Sequence, residues 1–111
     1  MSATYKTRQV GDVAVVDLEG KLRLGSITLL RKIVEKQLRI KNVKILLHLK
    51  SVNQIDEAAI RELGALATLV HGSGGQLKLV HVGQVRGFSV VSMAKFDCNY
   101  PDEPAAIRSF P

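Results

Sequence analysis

This 111-residue chain predicts a single α/β domain: a mostly parallel central sheet of about five strands, an antiparallel hairpin at one edge and about four helices. Three observations predict it. Short aliphatic runs alternate with segments whose apolar residues recur at spacings of three and four, the pattern of strands joined by crossover helices. The core must be aliphatic, because Trp is absent and aromatic residues make up only 5% against 46% hydrophobic residues overall; buried parallel strands are built from such residues. At this length one core can form and two ordinary ones cannot, and no repeat, low-complexity run or linker divides residues 1–111.

Each element follows from its local pattern. Tyr5 to Val10, the turn residues Gly11-Asp12 and Val13 to Leu18 read as the edge hairpin. Ile27, Leu30, Val34 and Leu38 form the inward stripe of a first helix, with Ser26 as its expected cap. Arg31, Lys32, Glu35, Lys36 and Arg39 fall on the other, largely cationic side. Val43 to Leu49, with its β-branched members, is the next strand. A second helix is expected from about Glu57 to His71, ended by Gly72-Ser73-Gly74-Gly75, residues that tolerate left-handed geometry. Gln76 to Val82 is a further strand, Gln84 to Ala94 a weaker helix, Phe96 to Tyr100 a final short strand, and Pro101 to Pro104 the turn opening a last helix through Phe110.

The most informative stretch runs from Val52 to Gly64, where an apolar strand passes into a helix through one aspartate, Asp56. Its carboxylate suits the N-cap position, where it accepts from the first free amides and meets the positive end of the helix dipole. The next residues, Glu57, Ala58 and Ala59, carry no hydroxyl, thiol or imidazole, so covalent nucleophilic catalysis is not expected here. Asp56, Glu57 and Glu62 form the acidic cluster of the mid-chain; as sequence neighbours, Asp56 and Glu57 suit capping and recognition better than paired acid-base work.

Other chemistries find little support. His48, His71 and His81 are not at metal-ligand spacing with Cys98 or with one another, so neither a metal nor a cofactor is expected. The glycines at 72, 74 and 75 follow a helix, where a dinucleotide fingerprint would open one, and no Gly-Lys-Ser or Gly-Lys-Thr completes a phosphate loop. Cys98 alone cannot form an internal disulfide and fits a reducing compartment. No apolar run approaches the roughly 20 residues of a membrane span. The first residues lack a signal-like apolar stretch, so a cytoplasmic location is expected. The net charge of +6 is uneven: residues 1–50 hold 11 Lys and Arg against 4 Asp and Glu, while residues 51–111 hold 5 against 6. A basic half could steer an acidic partner, but scattered cations without interleaved aromatics disfavour nucleic acid.

The order of elements and the strand-Asp-helix junction resemble the STAS domain of bacterial anti-sigma factor antagonists. Val13-Ala14-Val15-Val16-Asp17-Leu18-Glu19-Gly20-Lys21-Leu22 is similar to the family's second strand and its Gly-x-Leu ending. Val43 to Leu49 and then Val52 to Gly64 resemble the strand leading into the Asp-Ser-Ser-Gly-Leu motif. Gly74 to Val80 and Asp102 to Phe110 resemble the glycine-rich lead into the next strand and the acidic start of the last helix. The resemblance covers nearly the whole chain. It implies a non-enzymatic regulator of sigma-dependent transcription that binds an anti-sigma factor, including one of histidine-kinase-like type, through Asp56, Glu57, Ala58 and Ala59. Arg23, Leu24 and Ser26 would lie beside that edge, with Arg61 and Glu62 flanking it. The family's phosphoacceptor position falls on Ala58, which cannot be phosphorylated, and Arg23 stands where an acidic residue is common. The alternatives are a nucleic-acid-binding or small-ligand-binding domain on the same fold, and a homodimer through an edge strand or apolar helix surface stays open.

Overall fold

The computed structural model describes residues 3–111. Eight elements follow in order: β1 (Ala3–Val10), β2 (Val13–Leu22), α1 (Leu24–Arg39), β3 (Lys44–Ile55), α2 (Glu57–Gly72), β4 (Gln76–Val80), α3 (Val90–Met93) and α4 (Glu103–Arg108). The strands form one sheet in the order β1-β2-β3-β4, with β1 antiparallel to β2 and the other pairs parallel. Alternation along the strands divides the core. Val16, Leu18, Ile45, Leu47 and Leu79 join Ile27, Leu30, Val34, Leu63, Leu66 and Val70 beneath α1 and α2. Val13, Val15, Leu46 and Val80 face the other way and are covered by Ala106 of α4. Two successive crossovers of the same hand, advancing in one direction across the sheet, place α1 and α2 on a single face. No helix of the described residues is long and apolar enough to cross a membrane.

Three local expectations are corrected. The sheet has four strands among the described residues, not about five, because Phe96–Tyr100 does not form a strand. That segment touches the sheet through one backbone bond, from the Leu79 N–H to the Asp97 carbonyl at 2.9 Å. Its polar groups are drawn elsewhere: the buried Lys78 ammonium donates to Asp97 and to the Tyr100 hydroxyl, both at 2.8 Å, and lies over the Tyr100 and Phe110 rings. The expected helix over 84–94 shrinks to Val90–Met93, since Arg86 is taken up in a parallel bridge with Gln54. Finally, α1 starts after Arg23 instead of at Ser26, with no side-chain cap. Strand β2 runs directly into the helix, and Ser26 lies in the first turn with its carbonyl accepting from the Tyr5 hydroxyl at 2.5 Å.

Candidate functional site

The carboxyl ends of β2 and β3 are adjacent, with Leu22 in register with Ile55, and each strand passes straight into a helix. The Asp56 N–H donates to the Leu22 carbonyl at 3.1 Å, which brings the starts of α1 and α2 together on one edge. Ligand and partner contacts collect at this end of parallel sheets.

Asp56 is the N-cap of α2: its backbone is extended and its Oδ1 accepts from the Ala59 N–H at 2.8 Å. This satisfies one of the four amides that a helix start leaves without an intrahelical acceptor. Glu57 sits in the first turn, where its negative charge is favoured by the helix dipole. It pairs with Arg61, one turn on, at 3.3 Å, with both side chains largely in solvent. Ala58, directly after the exposed Asp56 and Glu57, is half-buried, whereas Ala59 is fully buried in the core. Glu62 reaches across to Arg31 at 3.6 Å and links α2 to α1. On the neighbouring helix, Arg23 is exposed and its carbonyl accepts from the Ser26 and Ile27 amides, while Leu24 is 52% exposed. Ser26 is half-buried; burial of its Tyr5 partner pushes that phenol up to about 12.

A further wall belongs to α3. The Ile55 N–H donates to the Arg86 carbonyl at 2.8 Å, and the Arg86 N–H donates to the Asn53 carbonyl at 3.1 Å, so the chain after β4 is held against the end of β3. Gly87 makes the approach possible: its φ is +93°, and a Cβ there would stand 2.0 Å from the Ile55 carbonyl oxygen. Between α2 and α3 lies an open groove of about 520 Å³, lined by Ile55, Ile60, Glu57, Arg61, Val91 and Lys95 among others. Val91, 72% exposed, adds an apolar side chain to the α3 side of the groove, while Val90, 81% exposed, lies outside it beside Met93, Ala94 and Asn99. Sequence reading missed this wall. The signal was the adjacent Val90-Val91 pair after Ser89, which lacks the inward periodicity of a core helix.

The other face of the sheet gathers a second constellation. The Arg8 guanidinium bridges Asp17 and Glu103: Nε donates to Asp17 Oδ2 at 2.6 Å and Nη1 to Glu103 Oε2 at 3.0 Å. Arg8 holds the Asp17 carboxyl below the usual range through these hydrogen bonds. His48 Nε2 lies 3.7 Å from Glu103, and its ring packs at 4.9 Å against that of His81, a non-glycine residue with φ of +62°. Potential ligand atoms of Asp17, His48 and Glu103 fall within 4.8 Å of one another, a cluster that linear spacing could not show. Arg8 already occupies both carboxylates, so an added cation there would have to displace it.

Residues 4–91 match the family model for the STAS domain. The chain belongs to the STAS family. None of the curated proteins matches this STAS domain significantly in sequence. Among its structural neighbours are anti-sigma factor antagonists. A Thermotoga maritima protein described as one aligns over 96% of this chain and 93% of its own, with a TM-score of 0.81 and 23% identity. An antagonist from Mycobacterium paratuberculosis aligns over 98% and 94%, at 0.76 and 16% identity. The phosphorylated form of the Bacillus cell fate determinant SpoIIAA aligns over 95% and 97%, at 0.72 and 13% identity. These likenesses establish the fold, and with it the expected STAS domain.

Proposed function

We propose that this STAS domain is a regulatory protein-binding module that occupies an anti-sigma factor or related scaffold, and that it does so without phosphate control at the usual position. The single observation behind this reading is the α2 start: an Asp56-capped helix end with Glu57 exposed and Ala58 in the place of a phosphoacceptor. Arg23, Leu24 and Ser26 line it on one side, and Arg61 and Glu62 flank it. Ala59 contributes through its amide and its packing in the core. Val91 and the groove it lines with Ile55 and Ile60 extend the edge with apolar surface, which an interface core requires. A phosphate would add about −1.5 to −2 charges beside Asp56 and disfavour such an interface; the Ala58 methyl group cannot carry one.

The partner is to be recovered by pull-down from native lysate with mass spectrometry, then titrated by calorimetry. A histidine-kinase-like anti-sigma factor that binds directly, and whose binding is abolished by Ala58→Glu in a chain of unchanged thermal stability, supports the reading. Recovery of ribosomes or nucleic acid alone, or undiminished affinity of Ala58→Glu, defeats it.

A further inference from the structure

Most of the net charge of this protein lies in one segment. Residues 23–41, which comprise α1 and its immediate flanks, hold six of the sixteen Lys and Arg but one of the ten Asp and Glu, a balance of +5 out of the total of +6. The rest of the chain is nearly neutral. Glu35, the one acid of the segment, is engaged by Arg31 at 3.6 Å, and Arg31 also reaches Glu62. Lys32, Lys36 and Arg39 are exposed and make no ion pair among the described residues.

These cations share one ridge. At 3.6 residues per turn, Leu29, Lys32, Lys36, Arg39 and Ile40 fall within an arc of about 100°, opposite the buried stripe of Ile27, Leu30 and Val34. Like charges at Lys32 and Lys36, one turn apart, cost the isolated helix stability. Two large aliphatic side chains are interleaved with them: Leu29 is 52% exposed and Ile40, the C-cap residue, 62%. No aromatic residue lies in the segment.

We propose that this outer face of α1 docks on an anionic phospholipid bilayer, with Lys32, Lys36 and Arg39 against the headgroup phosphates and Leu29 and Ile40 entering the boundary of the acyl region. Uncompensated cations interleaved with exposed aliphatics are the chemistry of an interfacial helix. A single-stranded nucleic acid would call instead for stacking aromatics, and a purely polar polyanion would leave the exposed Leu29 and Ile40 uncovered. The ridge begins more than a turn beyond Arg23, so bilayer contact leaves the Asp56 edge free. The inference stands independently of the anti-sigma reading.

The test is co-sedimentation of the full chain with vesicles of phosphatidylcholine alone and of phosphatidylcholine mixed with phosphatidylserine. Binding to the mixed vesicles alone, weakened by salt, is expected. Lys32→Gln/Lys36→Gln/Arg39→Gln is expected to weaken it by about a hundredfold, at roughly fivefold per cation near the surface, whereas Lys6→Gln/Lys50→Gln/Arg108→Gln, with the same loss of net charge, should retain most of it. Leu29→Ser/Ile40→Ser should also weaken binding with the charge unchanged, and circular dichroism should report an intact fold for every variant. Equal losses in the two charge variants, no effect of Leu29→Ser/Ile40→Ser, or tighter binding to duplex DNA or polyglutamate than to the mixed vesicles would overturn the proposal.

Discussion

Arg8 of β1 and Glu103 of α4 lie 95 positions apart in the chain and are joined by paired hydrogen bonds, one of them at 3.0 Å, while the same guanidinium grips Asp17 of β2. One side chain thereby fastens the last helix to the edge hairpin. Its geometry is the fork-on-carboxylate arrangement that makes Arg, and not Lys, suited to the position.

Replacing Arg8 with Met leaves two half-buried carboxylates without their donor. Arg8 is 38% exposed, so solvent recovers part of the loss, and a destabilisation of about 1–2 kcal/mol is expected in urea unfolding. Arg8→Lys should recover less than half, because an ammonium cannot bond both carboxylates side on.

The same cluster sets a pH dependence. Burial holds the His48 imidazole below its ordinary 6.5, with Glu103 and Asp17 opposing that effect and His81 and Arg8 reinforcing it. The unfolded chain therefore takes up the proton first, and stability should decline as pH falls from 6.5 towards the folded value. Asp17 acts lower: its folded pKa lies below 3.8, so the stability it contributes is complete above 3.8 and is lost as pH falls through the folded value. Urea midpoints measured across this range should show two regions of decline, and His48→Gln should flatten the upper one only.

Asp56→Ala removes the α2 cap. The expected cost is about 1 kcal/mol, and amide exchange should accelerate at Ala59, which loses its acceptor, while Leu66 and Val70 deeper in the helix follow global stability.

Lys78→Met tests a buried ion. Lys78 is 4% exposed, but Asp97 is about half in solvent and Tyr100 is at the surface rim, so the abandoned partners can be hydrated. Replacement by an apolar chain of similar length should stay within about 1 kcal/mol of the parent. Gly87→Ala provides the contrast: its Cβ would overlap the Ile55 carbonyl at a left-handed backbone, and a loss of about 2 kcal/mol or more is expected.

Asp56 could be read from sequence because its evidence is local: an acid followed by Glu57 and then by the stripe of Ala59, Ile60, Leu63 and Val70. The start of α1 could not. Ser26 has the better capping chemistry, but the β2 backbone reaches Leu22 in register with Ile55 and enters the helix three residues earlier, so tertiary pairing overrides the local preference. The shortened α3 has a similar cause, since Arg86 spends its amide and carbonyl on β3. The Arg8, Asp17, His48 and Glu103 cluster left no linear trace because its members come from four elements and meet only when the sheet and α4 close. The Asp56 cap itself was legible, whereas the α3 wall of the groove beside it depended on that nonlocal bridge.

The two backbone bonds between Arg86 and the end of β3 have a kinetic consequence. They anchor the loop leading to α3 on the strand from which α2 springs, so the groove walls are preassembled before any partner arrives. Little ordering entropy then remains to be lost on encounter, and substitutions at Val91 in the groove should alter the lifetime of a complex far more than the rate at which it forms.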